Sequence, residues 1–135
     1  MTRSSGALGC LLLVVHVALL GCGRSDGPRR YEVSGRVTFQ GEPVPVGLVQ
    51  FVPDTSQDNH GPATSAAIED GRFRTPRGKG IVGGPHVVIV TGSDGVPFDS
   101  PEGIQSRGKA LFPAYRHSIV LPHESSEQDF EVPPP

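Results

Sequence analysis

The sequence predicts an all-β fold, a seven-stranded antiparallel sandwich that follows an N-terminal signal segment. Three observations predict it. Beyond residue 30, apolar residues alternate with polar ones at a period of two, the spacing that puts one face of a strand on a core. The 18 Gly and 14 Pro fall between short apolar runs, where they act as turn punctuation. No stretch after residue 22 repeats apolar residues at helical spacing. The chain has 135 residues, enough for one domain and a tail. Its net charge of −2 carries no broad basic footprint for nucleic acid.

The first element is apolar. Leu11 to Leu20 is broken only by His16, and Arg3 is the only charge before residue 24. As a helix the run rises about 15 Å, half of a ~30 Å bilayer core. A positive start, a short apolar core and a small residue before a cut describe a secretory signal peptide over residues 1–21. Leu19-Leu20-Gly21-Cys22 resembles the lipobox of bacterial lipoproteins. That resemblance implies cleavage between Gly21 and Cys22 and a diacylglycerol on the Cys22 sulfur. Cys10 would leave with the signal. Cys22 would then be the last cysteine, so no intramolecular disulfide remains. Two acyl chains hold a membrane where one gives only marginal binding. Residues 22–30 contain no apolar residue after the cysteine and read as a flexible tether.

The sandwich is assigned to residues 31–135. Tyr31, Val33, Gly35, Val37 and Phe39 face inward, and Glu32, Ser34, Arg36 and Thr38 outward. Gln40-Gly41-Glu42-Pro43 is turn chemistry. Val46 to Val52 is apolar on both faces, as in a central strand packed on two sides, and Pro53 ends it. Asp54 to Pro62 is a polar loop. Asp70-Gly71 predicts a type I′ hairpin, which pairs Ile68 with Phe73 in the core and Glu69 with Arg72 as an exposed ion pair. Pro76 to Pro85 is a loop dense in glycine, and His86 to Gly92 a β-branched central strand. Ser93 to Gly108 is expected to be a loop without periodicity. Ala110 to Pro122 holds two short extended pieces around a proline. Gln128 to Val132 closes the fold with Phe130 and Val132 inward.

Val33, Gly35, Val37, Gly41, Pro43 and Phe51-Val52-Pro53 resemble the opening of carboxypeptidase-regulatory-like, or transthyretin-like, domains. Glu69 to Thr75, Gly83 to Val90 and Leu111 to Val132 resemble the later parts of such domains. The likeness spans Tyr31 to Val132 and implies a Greek-key sandwich. The layout of lipobox, tether and one such domain resembles small exported lipoproteins of planctomycete-type bacteria. The resemblance brings no activity, because fold does not supply function.

Candidate chemistry is sparse. His60, His86, His117 and His123 lack the local spacing of a zinc site and read as solvated or hydrogen-bonded loop histidines. No nucleophile elbow is present. Tyr115-Arg116-His117-Ser118 is similar to the Tyr-Arg-Gly-Ser end of transthyretin-related hydroxyisourate hydrolases, but His117 stands in place of the glycine. Tyr115 is expected at a sandwich corner with its hydroxyl bonded to backbone. Asp54, Asp58, Asp94, Asp99 and Glu102 lack calcium-loop spacing. The expectation is a cell-envelope lipoprotein, lipid-anchored through Cys22, with no catalytic residue, metal or cofactor. It would act structurally or bind a protein or glycan, and no nucleic acid. The alternative is a hydrolase or metal-dependent enzyme using the loop histidines.

Overall fold

The computed structural model describes residues 27–135. The signal segment, the Gly21–Cys22 junction and the first part of the tether lie outside the described residues. Among the described residues, no helix is long and apolar enough to cross a membrane.

The described chain is all-β. Its strands are β1 (Val33–Phe39), β2 (Glu42–Pro43), β3 (Val46–Pro53), β4 (Thr64–Glu69), β5 (Arg72–Arg74), β6 (Gly84–Ser93), β7 (Phe98–Ser100), β8 (Gly103–Gln105), β9 (Tyr115–Leu121), β10 (Ser126–Glu127) and β11 (Phe130–Val132). A single 3-10 turn spans Thr55–Gln57. One sheet runs in the order β10-β1-β5-β4-β3-β6-β9, with β2 and β11 also paired to β1. All its pairings are antiparallel except those of β10 and β11, which lie parallel to β1. Eleven strands replace the seven predicted, because two- and three-residue strands are too short for alternation to announce them.

The sheet curls into a half-barrel around one core. Val33, Val37, Val49, Phe51, Ile68, Phe73, Val88, Val90, Phe130 and Val132 are buried within it. Three rings anchor its centre. Phe51 on β3, Phe73 on β5 and Phe130 on β11 sit with centroids 5.9–6.3 Å apart, tilted as aromatic groups prefer. The curl brings the two ends of the sheet towards each other, so that His117 on β9 meets the Phe130 ring edge-on at 6.5 Å.

Local signals hold where turns decide them. Asp70 and Gly71 both take positive φ, 49° and 76°, which is the type I′ geometry, and the register pairs Ile68 with Phe73. Gln40 and Gly41 do the same between β1 and β2. Glu69 stands opposite Arg72, but the expected ion pair is not made. Arg74 pairs instead with Glu32 on the neighbouring strand. The central strand β3 buries Val49, Phe51 and Pro53. Its other face is only half covered, with Leu48 and Val52 half-buried and Gln50 exposed. The predicted packing on two sides is absent there, because the curled sheet has a core on its concave face only. The segment Ser93 to Gly108 is not structureless: it forms the β7–β8 hairpin.

Strand directions divide the domain into two poles. β1, β4, β6, β10 and β11 run one way, and β3, β5 and β9 the other. Residues 27–32, which include the end of the segment expected from sequence to be a tether, therefore enter at the pole that carries loops 54–63, 75–83 and 122–125. Turns 40–41 and 70–71, the β7–β8 arm and Pro133 to Pro135 lie at the opposite pole.

Candidate functional site

An open groove of about 810 Å³ lies on the outer face of β1, β5 and β4. That size is within the ~300–1,000 Å³ of ligand sites. Alternation builds it. The residues that point away from the core are Ser34 and Arg36 on β1, Arg72 and Arg74 on β5, and Ala67 and Glu69 on β4. Small residues, Ser34 and Ala67, leave the floor low, and long charged side chains stand around it. Register then sets the charges. Arg36 lies directly opposite Arg72, and Ser34 opposite Arg74. Arg74 is neutralised by Glu32. Neither the Arg36 nor the Arg72 guanidinium has an ion-pair or hydrogen-bond partner among the described residues. Glu69, Asp70 and Glu127 line the groove as well.

The arm at the pole opposite the tether is the second feature. β7 and β8 pair with each other and with no other strand. The Asp94 carboxylate ties the base of the arm, accepting from Val96 N and Lys109 N at 3.0 Å each. The Lys109 ammonium lies 5.4 Å from the centre of the Phe98 ring. Val96 and Ile104 are exposed on the arm.

The tether pole is held by Arg30. Its guanidinium donates to the carbonyls of Gly80 at 2.8 Å, Lys79 at 3.3 Å and Ala63 at 3.5 Å. Tyr31 then bridges to Ile81 through both backbone bonds, 2.7 and 2.8 Å. Arg29 lies over the Tyr31 ring at 5.9 Å.

The four candidate histidines are dispersed. His60 is exposed and bonds Asp58 at 3.1 Å. His123 is exposed and meets Tyr31 edge-on at 6.2 Å. His117 is exposed on β9, where it stacks on Tyr115. His86 lies in the predicted central strand, β6, but its ring is not solvated: it is 1% exposed, with burial depressing its pKa below the ordinary value. Among the described residues, no three His, Cys, Asp or Glu side chains converge on a point that could hold a metal ion. Tyr115 is half-buried at the start of β9 and packs on the core. The backbone bond expected of its hydroxyl is not formed among the described residues. Asp54 caps the 3-10 turn. Hydrogen bonds from the Ser56 and Gln57 side chains hold its carboxyl below the usual range.

Alternation in the sequence puts Arg36 and Arg72 outward but does not bring them together. The missing information is the pairing of β1 with β5, which no local signal carries. No protein-family model, curated protein or solved structure matches the chain.

Proposed function

We propose that the chain is an exported lipoprotein, anchored in the cell envelope through Cys22, that presents a transthyretin-like domain as a non-catalytic structural or protein-binding module. The observation that supports this reading best is the opposition of the two poles. The tether enters beside Arg30 at one end, and the β7–β8 arm with exposed Val96 and Ile104 stands at the other. A module held at one end is free to offer the far end and its flanks to a partner. Exposed apolar residues on a projecting hairpin suit protein contact. The hydrolase alternative on His60, His86, His117 and His123 gains nothing from their dispersal.

Metabolic labelling with a palmitate analogue tests the anchor. Label is expected on the wild-type chain and absent from Cys22→Ser; label retained by that variant refutes the assignment.

A further inference from the structure

We propose that the groove over β1, β5 and β4 binds an extended peptide through acidic side chains, with Arg36 and Arg72 as the anchoring pair. This rests on the reading of the domain as a binding module and names the chemistry of one partner surface.

The outer face of the sheet holds an unfavourable contact. Like charges directly opposite on neighbouring strands destabilise a sheet. Arg36 and Arg72 occupy such a pair. The nearest remedy in the register is Glu69, opposite Arg72 on its other side, yet it makes no ion pair with Arg72. One face therefore carries two neighbouring guanidinium groups that make no ion pair among the described residues, although carboxylates stand nearby. Guanidinium forks bind carboxylates through two parallel hydrogen bonds, stronger and more directional than neutral ones. Side chains on opposed positions of adjacent strands stand about 5 Å apart at Cβ. Two guanidinium groups there can hold one carboxylate between them or two in succession. Either arrangement offsets the repulsion.

The surroundings choose among anions. Glu69, Asp70 and Glu127 share the groove with the three arginines, so its summed charge is near neutral. Nucleic acids and densely sulfated chains would meet those carboxylates and be repelled. Glycans bind best on aromatic platforms, and the only ring that lines the groove, Phe73, is buried. A peptide in which acidic residues are flanked by basic ones satisfies both signs. Its carboxylates meet Arg36 and Arg72, and its cations meet Glu69, Asp70 or Glu127. The low floor of Ser34 and Ala67 admits a backbone between the long side chains.

Fluorescence polarisation of the full-length chain with two labelled probes tests this. One is the peptide Ala-Lys-Glu-Glu-Lys-Ala, the other the same peptide with both Glu replaced by Gln. The acidic probe is expected to bind at least about tenfold tighter and to weaken with rising salt. Arg36→Gln and Arg72→Gln should each weaken it about tenfold, and the double variant should bring it to the level of the Gln probe. Arg77→Gln, in a loop at the tether pole, should leave binding unchanged. Thermal unfolding of each variant is measured alongside. The two groove variants should be as stable as wild type or more so, because the like-charge pair is gone. A purely structural role for these arginines would lower stability instead. Equal binding of the two probes overturns the proposal, as does an acidic probe indifferent to the double variant. Oligogalacturonate that binds with the same dependence on Arg36 and Arg72, and displaces the acidic probe, overturns the assignment to peptide. None of these failures affects the lipid label on Cys22, so the two readings fall separately.

Discussion

The His86 ring donates from Nδ1 to the carbonyl of Gly84 at 2.9 Å, and its Nε2 is buried with no partner among the described residues. A carbonyl can only accept, so Nδ1 carries the proton and Nε2 is a bare acceptor in the neutral ring. Opposite His86 in the sheet stand Pro53 and Ile119, which offer no counter-charge. Burial therefore depresses the folded-state pKa below the ordinary 6.5. In the unfolded chain the ring gains its proton near 6.5, before the folded chain does. Below that pH the unfolded state binds more protons, so stability falls as pH drops and levels off only beneath the depressed folded value. Above neutrality His86 adds no pH dependence. Urea unfolding at pH 7.5 and pH 5 should show lower stability at the acid value. His86→Leu should flatten the difference; an undiminished difference in that variant refutes the role of His86.

Gly80 tests packing against backbone strain. A Cβ there would run into the carbonyl oxygen of Tyr31, inside the two-bond bridge between Tyr31 and Ile81. Gly80→Ala should cost about 2 kcal/mol or more, the upper range for overpacking. Gly41, at φ +81° with nothing within 4 Å of the added carbon, isolates the conformational effect alone. Gly41→Ala should cost about 1 kcal/mol. Denaturant midpoints of the two variants decide the order.

Arg30 binds the end of the tether to the domain through three carbonyls on two loops. Hydrogen bonds to a charged donor contribute roughly 1.5–3 kcal/mol where they are sheltered, and less at an exposed position such as two of these. Arg30→Ala should lower stability by about 1 kcal/mol and raise amide exchange at Ile81. Arg30→Lys should recover little, because a point-charge ammonium cannot span the carbonyls that a planar fork reaches. Full recovery by lysine would show that charge alone matters there.

Asp94 should govern the arm and little else. Its carboxylate bonds Val96 N and Lys109 N, one on each leg. In Asp94→Ala, hydrogen exchange should quicken across Phe98 to Gln105, while β3 and β6 keep their protection, since local opening need not involve the core. Faster exchange throughout the sheet would mean that the arm and the core open as one unit.

What the sequence alone determined is local. Tyr31 to Phe39 alternates and β1 buries Val33 and Val37. Asp70-Gly71 turns because both positions need φ > 0, which glycine and aspartate tolerate. The run from Val46 to Pro53 and the run from His86 to Gly92 became neighbouring strands at the centre of the sheet. These signals lie within a few residues of one another, so chain connectivity preserves them. The reading of Gly21 and Cys22 is likewise a matter of sequence and lies outside the described residues. Tertiary structure alone decided the rest. His86 opens a strand legible in the sequence, yet only the curl of the sheet encloses its ring. The Ser93 to Gly108 segment pairs with itself in strands too short to show alternation. Glu69 and Arg72 face each other as predicted, but β1 beside β5 supplies Glu32 to Arg74 and sets Arg36 against Arg72. Which strand lies beside which depends on the fit of a whole core, where Phe51, Phe73 and Phe130 meet from distant parts of the chain. Side-chain pairs across such a boundary are consequences of that fit, and no stretch of sequence contains them.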